Sequence, residues 1–435
     1  MDRFALEKLK QWKEKKNRKP LIIRGARQVG KTWLMKEFGR TCFKKTAYVN
    51  FDSNTRMRQV FEGDINIERM ILAISAETGV SIDSQDTLLI FDEVQEVPKA
   101  LTALKYFCEE APQYAIVAAG SLLGVAMHKG TSFPVGKVDF MDLYPLNFRE
   151  FLCALGEERF VEILNSSDTD MVTMFKSKYM DRVREYYYVG GMPEVVQCYV
   201  DTKDFNEVRE IQKNLLNYYQ QDFSKHAEAT LVPRLNLVWN SIPMQLAKEN
   251  KKYIYGQVRE GARAKDFELA IQWLMDCGLI HKVQRIKKPD LPLKAYVNFD
   301  AFKIYLLDIG LLIAMVDLDA RVIIDGNRIF TEFKGALTEQ YVLQQLIADL
   351  GVEAYYYSTE KSSGEIDFLL QGRSSILPLE VKAEENLRAK SLKAFCEKYH
   401  PAYAVRTSMS DYREQEWMTN IPLYNICRIK QYLEQ

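Results

Sequence analysis

The sequence predicts an α/β protein whose N-terminal part is built on a parallel sheet. Short apolar runs alternate with helical patterns through residues 1–150, a glycine-rich loop follows the first run, and two acidic residues end the third. Continuous apolar runs are typical of strands buried on both faces of a parallel sheet. The expected strands are LIIRG (21–25), AYVNFD (47–52), TLLIFDE (87–93), YAIVAAG (114–120) and KVDFMDLYP (137–145).

Three further segments are expected after this sheet. The first is mostly helical. The second has a helix at about 264–277 followed by two short strands, LIHKVQRI and LKAYVN, an order that resembles a winged helix-turn-helix. The third begins near residue 330 and has the order αβββαβ. The predicted domains are 1–155 (sheet), 156–235 (helical connector), 236–325 (winged-helix-like) and 326–435 (C-terminal α/β).

The amino-acid composition excludes several classes of protein. The 435 residues include 59 Lys and Arg against 59 Asp and Glu, with 47% apolar residues, which excludes a disordered chain and a protein that binds DNA through bulk positive charge. The seven cysteines and four histidines are scattered, so we expect no zinc site. Residues 1–20 lack a secretory apolar core and no apolar run is long enough for a bilayer, so we expect a cytoplasmic protein without a membrane partner.

The strongest motif is GARQVGKT, residues 25–32, which fits G-x-x-x-x-G-K-[ST]. It lies between the first expected strand and a helix, where backbone N–H groups and the helix N-terminus can bind phosphates. Lys31 is expected to contact the β- and γ-phosphates of ATP, and Thr32 to bind Mg²⁺. The residues expected to bind the nucleotide are Gly25, Ala26, Arg27, Gln28, Val29, Gly30, Lys31, Thr32 and Trp33.

Two acidic residues are expected beside this loop. The strand LLIFDE ends in Asp92 and Glu93, at the edge where open α/β sheets bind nucleotides. We expect Asp92 to hold Mg²⁺ and Glu93 to orient and polarise the attacking water. Ser121 follows the strand YAIVAAG, and either senses the γ-phosphate or caps a helix.

These pieces resemble the AAA-type ATPases, and more closely a prokaryotic family that joins such an ATPase to the C-terminal domain of unknown function 4143. The resemblance rests on these motifs: LIIRGARQVGKTWL, LLIFDEVQ, AAGS, LYPLNFREF, GGMPE and KIYLLDIGLL. Family members often carry an arginine where this chain has Lys137, and lysine is a poorer planar donor. The resemblance therefore leaves the arginine finger open, with Arg149, Arg182 and Arg184 as alternatives.

The C-terminal segment holds a second candidate site. Asp367 lies in the expected strand EIDFLL, Glu380 and Lys382 lie in LPLEVKA, and Glu339 lies on the preceding helix. Strand alternation puts Glu380 and Lys382 on one face, and a hairpin would bring Asp367 beside them. This order resembles the PD-(D/E)xK nuclease fold, in which acids bind Mg²⁺ and the lysine stabilises charge. Three interpretations remain open: an active nuclease, edge-of-sheet salt bridges, or a fold that no longer cuts.

Positive charge is concentrated in two segments of the sequence. Residues 7–19 carry seven Lys or Arg against two Glu. Residues 248–294 carry eleven Lys or Arg against six acidic residues. Four of these basic residues flank the expected wing: Lys282, Arg285, Lys287 and Lys288. Each segment either contacts DNA or is an ordinary solvated or protein-facing surface.

Together, these features lead us to expect a Mg-dependent ATPase that couples nucleotide state to its C-terminal modules. The alternatives are a non-hydrolysing switch that binds a protein partner or a second copy, and an ATP-regulated nuclease.

Overall fold

The chain divides into two compact units in the computed structural model. The N-terminal unit comprises Asp2–Tyr144 and Trp273–Leu279, and the C-terminal unit comprises Pro145–Gln272 and Ile280–Gln435. The structure describes residues 2–120, 134–248, 251–324, 331–359, 364–384 and 389–435.

The N-terminal unit is the predicted parallel α/β layer. Its helices are α1 (Ala5–Glu14), α2 (Lys31–Cys42), α3 (Thr55–Glu62), α4 (Ile67–Thr78) and α5 (Pro98–Glu110). Its strands are β1 (Leu21–Arg24), β2 (Lys45–Asn50), β3 (Thr87–Asp92), β4 (Ala115–Ala119) and β5 (Asp139–Asp142). All pair in parallel, in the order β2-β3-β4-β1-β5, which confirms the predicted sheet.

The sheet owes its arrangement to strands that are apolar on both faces. Every residue of β3 and β4 is buried, and Phe51, Phe61 and Phe91 meet edge to face on one side of the sheet. Such aromatic contacts add to the apolar area buried by the layer. Because the strands are parallel, the ends of β1 and β3 lie on one edge of the sheet, so the residues that follow them come together.

Helices dominate the first half of the C-terminal unit, as the sequence predicts. They are α6 (Phe148–Ala154), α7 (Glu158–Asn165), α8 (Thr169–Met174), α9 (Lys176–Val189), α10 (Pro193–Thr202), α11 (Phe205–His226), α12 (Val232–Leu246) and α13 (Tyr255–Val258). The next helix, α14 (Ala264–Asp276), agrees with the helix expected before the hairpin and runs from one unit into the other.

An eight-stranded mixed sheet forms the rest of this unit. Its strands are β6 (Ile280–Ile286), β7 (Val297–Leu306), β8 (Ala354–Ser358), β9 (Glu365–Gln371), β10 (Ile376–Val381), β11 (Val405–Ser408), β12 (Arg413–Glu414) and β13 (Thr419–Pro422). The accompanying helices are α15 (Ile309–Met315), α16 (Ala320–Ile324), α17 (Thr331–Ala348), α18 (Lys390–Tyr399) and α19 (Lys430–Leu433). The strand order is β12-β13-β11-β10-β9-β8-β6-β7.

The β6–β7 hairpin differs from a free-standing wing. It is antiparallel, as expected. The second predicted strand, LKAYVN, was misplaced, because Leu293–Tyr296 is a 3-10 helix and the strand runs over Val297–Leu306. The other edge of β6 pairs in parallel with β8, with Arg285 opposite Tyr356 and Ile286 opposite Tyr357. The paired edge gives the backbone groups of β6 partners that a solvent-exposed wing would lack. The elements α17, β8, β9, β10, α18 and β11 follow the αβββαβ order read from the sequence. The three domain boundaries at 155, 235 and 325 stay predictions.

One buried carboxylate joins three parts of the C-terminal unit. Asp308 accepts hydrogen bonds from the backbone N–H of Gly191 at 2.6 Å, the N–H of Leu311 at 3.1 Å and Nε2 of Gln344 at 2.9 Å. These donors belong to the GGMP turn, to the first turn of α15 and to α17. Asp308 has no exposed surface, so its charge is balanced by these donors rather than by water.

The GGMP turn needs glycine because of this contact. Gly190 has a φ of 76° and a ψ of −164°, a combination essentially restricted to glycine. A Cβ at Gly190 would lie 2.1 Å from Oδ1 of Asp308, whereas a Cβ at Gly156, with a similar φ of 74°, would meet no atom within 4 Å. Gly156 therefore serves as a control for a positive φ, whereas Gly190 adds both its glycine-restricted ψ and the steric conflict with Asp308.

We expect Gly190→Ala to destabilise the protein by at least about 2 kcal/mol more than Gly156→Ala. Both substitutions place a side chain at positive φ, at a cost of about 1–2 kcal/mol, but only Gly190→Ala also forces the Asp308 junction apart. Urea unfolding monitored by circular dichroism measures both variants. Equal losses for the two variants would contradict this account.

Candidate functional site

The glycine-rich loop joins β1 to α2 at the predicted edge. Gly25 has a φ of 148°, and a Cβ there would lie 2.2 Å from the carbonyl oxygen of Leu143, so only glycine lets the two backbones approach this closely. Gly30 precedes α2, and no side chain caps that helix end. The first N–H groups of α2 are thereby left for an anion.

The loop residues divide into two groups. Ala26 and Val29 are buried and fix the loop to the unit, whereas Arg27, Gln28 and Trp33 are exposed. Trp33 is 44% exposed, which is unusual for a large aromatic side chain. Ala26 and Val29 thus fix the shape of the loop. The exposed Arg27, Gln28 and Trp33 line the region where the sequence predicts that the nucleotide binds.

Lys31 is buried beneath the loop. Its Nζ donates to the carbonyl oxygen of Gly25 at 2.9 Å and to that of Ala26 at 2.7 Å. Burial lowers the pKa of Lys31 to about 8, against the opposing effect of Glu93 and Asp92. An ammonium so poorly solvated gains most from a new negative partner.

Asp92 and Thr32 meet at the same edge. Oγ1 of Thr32 donates to Oδ2 of Asp92 at 2.7 Å, and the hydroxyl of Tyr48 donates to the same oxygen at 2.9 Å. Asp92 is 3% exposed. Burial raises the pKa of Tyr48 to about 12, so its hydroxyl remains a donor. The hydroxyl of Thr32 and the carboxylate of Asp92 are thus adjacent, in the arrangement that a hydrated Mg²⁺ requires.

Glu93 follows Asp92 in a strained backbone conformation. Its φ is 53°, uncommon for a residue other than glycine and concentrated at functional sites. Nε2 of Gln95 donates to Oε2 of Glu93 at 2.6 Å, which orients the carboxylate. The remaining predicted polar group, Ser121, lies outside the residues that the structure describes.

Sequence reasoning missed Arg3, which fastens the phosphate-binding loop. Its Nη1 donates to the carbonyl oxygen of Val29 at 3.0 Å, and its Nη2 donates to that of Tyr144 at 2.7 Å. Arg3 is 8% exposed. No local motif indicates this role, because the partners are 26 and 141 residues away. Tyr48 was missed for the same reason, since Asp92 is 44 residues away. Gln95 is only two residues from Glu93, but no motif distinguishes its side chain from that of any other polar residue after a strand.

Comparison with protein families agrees with this geometry. Residues 17–152 match the family described as AAA domain, and they contain the loop, Asp92 and Glu93. Residues 334–426 match a domain of unknown function, DUF4143. The chain therefore joins an AAA domain to a DUF4143 domain. Residues 180–322 match another domain of unknown function, DUF8612. No curated protein matches the chain.

The solved structures that match the chain include three proteins of low sequence identity. A Walker-type ATPase of Pyrococcus abyssi is 14% identical, with 72% of this chain and 95% of that chain covered and a TM-score of 0.45. The Aeropyrum pernix ORC1 protein, solved in complex with DNA, is 11% identical, with 72% and 90% covered and a TM-score of 0.27. Cdc6p of Pyrobaculum aerophilum is 12% identical, with 72% and 89% covered and a TM-score of 0.22.

The arginines considered as fingers have partners inside the C-terminal unit. Arg149 pairs with Asp349 and also donates to Oδ1 of Asn165 at 2.6 Å. Arg182 forms ion pairs with Glu157 at 2.7 Å and with Glu185 at 2.6 Å. Arg184 lies on the exposed face of α9, 3.1 Å from Asp181. Lys137, the residue in place of the family arginine, pairs with Glu109 at 2.9 Å. The identity of the finger therefore stays open.

The C-terminal cluster brings its four predicted residues together. Oδ2 of Asp367 accepts from the backbone N–H of Val381 at 2.7 Å, next to Glu380 in β10, and Nζ of Lys382 lies 2.7 Å from Oε1 of Glu380. Charge interactions link Lys382 to Glu380, Asp367 and Glu339. Burial and the nearby Glu339 raise the pKa of Asp367 to about 7, against the opposing effect of lysines.

Two lysines that the sequence did not single out also enter this cluster. Nζ of Lys251 lies 2.6 Å from Oε1 of Glu339, and Nζ of Lys303 lies 3.6 Å from Oε2. Lys303 also forms a close ion pair with Glu365. Over the described ranges, no three Asp, Glu, His or Cys side chains are grouped as a metal ion requires. Lysines thus pair with the acids of this cluster, and its use as the metal site of a nuclease stays a prediction.

The basic segments differ in how much of their charge faces solvent. In and after α1, Lys13 donates to the carbonyl of Cys42, Lys15 pairs with Asp139, and Lys19 donates to Gly136, so part of this charge is used within the unit. Around α14 and β6, five basic side chains are exposed: Arg259, Arg263, Lys265, Lys287 and Lys288.

No helix in the part of the chain that the structure describes has the length and apolar character needed to cross a bilayer.

We expect Arg3→Ala to lower the free energy of unfolding by about 1–3 kcal/mol, because it leaves the buried carbonyls of Val29 and Tyr144 without a charged donor. Lys8→Ala, an exposed charge removal on α1, is the control and should change stability by less than about 0.5 kcal/mol. Urea unfolding compares them. Arg3→Ala as stable as Lys8→Ala would show that this side chain does not fasten the loop.

Proposed function

We propose that the protein is a Mg-dependent ATPase that hydrolyses ATP at the edge of the N-terminal sheet. The observation that carries this proposal is the contact between Thr32 and Asp92 beside the buried Lys31. The ammonium of Lys31, the hydroxyl of Thr32 and the carboxylate of Asp92 lie together where the loop meets the end of β3. Proteins that bind Mg-ATP use these three kinds of group to hold the phosphates and the metal. Bound Mg²⁺ would neutralise charge that develops on the phosphates.

Lys31 and the loop backbone would bind the phosphates. The ammonium now donates to two carbonyls of its own loop, and phosphate oxygens are stronger acceptors for a poorly solvated cation. The uncapped N–H groups at the start of α2 point to the same ligand. Arg27, Gln28 and Trp33, on the exposed side of the loop, would contact the outer part of the nucleotide.

Asp92, Thr32 and Tyr48 would position the metal. Tyr48 and Thr32 both donate to Oδ2 of Asp92, and the two hydrogen bonds restrict rotation of the carboxylate. Fixed carboxylate geometry favours the octahedral coordination that Mg²⁺ demands. Tyr48 is a positioning residue in this proposal, since it acts through Asp92.

Glu93 would act as the general base or orient the attacking water. Its backbone adopts a positive φ of 53°, and Gln95 donates to Oε2 and so helps to orient the carboxylate towards an attacking water. Ser121 keeps its proposed role as a sensor of the γ-phosphate. The competing proposal is a nucleotide switch with negligible turnover, which would use the same Lys31 and Asp92 without needing Glu93.

We expect Lys31→Ala to abolish ATP binding, and Glu93→Gln to keep it while lowering turnover by about 10²–10⁴-fold, because the amide cannot take a proton from water. Release of inorganic phosphate and binding of a fluorescent ATP analogue give the two quantities. Glu110→Gln, an exposed carboxylate at the end of α5, is the matched control and should behave as wild type.

Equal phosphate release by wild type and Lys31→Ala would rule out hydrolysis at this site. A wild type that binds ATP tightly and releases no more phosphate than Glu93→Gln would instead support the switch.

We further propose that the exposed basic side chains around α14 and β6 contact DNA. Lys265 lies in the first turn of α14, Arg259 and Arg263 lie in the turn before it, and Lys287 and Lys288 follow the end of β6. The chain as a whole carries no net charge that would attract DNA generally. Phosphate contacts from such a local surface would position the duplex without reading its sequence.

We expect the triple substitution of Arg259, Arg263 and Lys265 by alanine to weaken duplex binding and to reduce the salt dependence of log Kobs by about 2–3 in slope. Fluorescence anisotropy over a salt series measures this. The matched control removes three exposed lysines of α18, namely Lys390, Lys393 and Lys398. The same loss in both triple variants would indicate non-local electrostatic attraction and contradict a defined contact surface.

A further inference from the structure

An apolar groove, which we call the α4 groove, lies beside α4 in the N-terminal unit. Its volume of about 670 Å³ is within the range of cavities that bind ligands. Half-buried apolar side chains line it and also pack against the core of the layer: Ile65, Ile67, Ile71, Ile82 and Tyr114. The floor of the groove is therefore continuous with the packed interior, which holds it in shape.

The helix α4 has two apolar faces. Met70 and Ile74 are buried and pack in the core of the layer. Ile67, Ile71 and Leu72 lie on a neighbouring face and line the groove. Leu72 is 72% exposed. A surface helix usually carries polar side chains outside its core face, so a second apolar face indicates a contact with another molecule.

The charged residues that line the groove are acidic. They are Glu68, in the first turn of α4, and Glu110, the last residue of α5. Both side chains are exposed. Carboxylates beside an apolar floor repel the phosphates of DNA and attract positively charged side chains. The α4 groove therefore selects a different class of ligand from the basic surface around α14 and β6.

The groove lies at the amino edge of the parallel sheet, away from the predicted nucleotide site. Ile82 precedes β3 and Tyr114 immediately precedes β4, whereas Asp92 is the last residue of β3. The six residues of β3 separate the two edges by about 20 Å. A molecule in the groove therefore does not compete with a nucleotide for the glycine-rich loop.

We propose that the α4 groove docks an amphipathic helix of a partner protein, with aliphatic side chains on one face and Lys or Arg beside them. Helices dock in grooves through apolar anchors spaced i, i+3 or i+4, and i+7, which span about 10 Å. The 12 residues of α4 extend about 18 Å, which is long enough for these anchors. The basic side chains of the partner pair with Glu68 and Glu110. The inference goes beyond ATP hydrolysis and does not depend on it.

The test uses the full chain and a synthetic helical peptide of alanine and lysine with leucines at the i, i+3, i+4 and i+7 positions. Fluorescence anisotropy of the labelled peptide gives Kd. We expect Leu72→Gln to raise Kd at least about tenfold, because it removes apolar area from the contact. Leu269→Gln is the matched control, since Leu269 is 69% exposed on α14, outside the groove, and it should bind as wild type.

The double variant Glu68→Gln/Glu110→Gln tests the charge. We expect it to raise Kd about three- to tenfold at low salt and less at physiological salt, because exposed ion pairs are weak and screened. Glu14→Gln/Glu62→Gln removes two exposed carboxylates elsewhere in the N-terminal unit and should bind as wild type. Circular dichroism shows whether each variant is folded.

Three results would overturn the proposal. The first is that wild type does not bind the lysine peptide, or that Leu72→Gln and Leu269→Gln bind it equally. The second is that a peptide with glutamate in place of lysine binds wild type as tightly, a comparison that needs no variant protein. The third is self-association of wild type in sedimentation velocity that Leu72→Gln abolishes, which would assign the groove to a second copy of this chain.

Discussion

The buried carboxylate of Asp308 is the constraint on which the C-terminal unit depends. It accepts hydrogen bonds from the GGMP turn, from the start of α15 and from α17, three segments that are distant in sequence. Gln344 reinforces the junction, since its Oε1 accepts from the N–H of Ile309 while its Nε2 donates to Asp308. A buried carboxylate held by several donors resists rearrangement of any one of them, because each lost hydrogen bond leaves an acceptor unsatisfied. The motifs GGMPE and KIYLLDIGLL thus meet at this junction through Gly191 and Asp308.

The buried carboxylates of Asp92 and Glu339 have different kinds of hydrogen-bond partner. At the nucleotide edge, Asp92 is surrounded by hydroxyls of Thr32 and Tyr48, which donate hydrogen bonds but bring no charge. Beside α17, Glu339 is surrounded by two ammonium groups, which neutralise it. Hydroxyl partners leave a carboxylate able to attract a metal, whereas ammonium partners compete with one. Similar acidic residues at strand ends and on helices therefore differ in function because of the groups around them.

The sequence predicted features that are encoded locally. The loop at residues 25–32, the five parallel strands and the order of elements from α17 to β11 all follow from short-range patterns, and the structure contains them. Contacts between distant residues were not predictable. Lys251 meets Glu339 across 88 residues, and Arg3 meets Tyr144 across 141, and no periodicity or spacing indicates either pair. Hairpin strands β6 and β7 were expected, but their continuation into the larger sheet depends on an edge that the sequence does not reveal.

The pairing of β6 with β8 bears on how this chain arose. The strand β6 lies in the segment that matches DUF8612, and β8 lies in the segment that matches DUF4143. Either segment inherited alone would present an unpaired inner strand edge, which proteins normally avoid because such edges recruit other chains. Recombination that separates these two segments would therefore expose strand edges and be selected against. We expect the two segments to be inherited together.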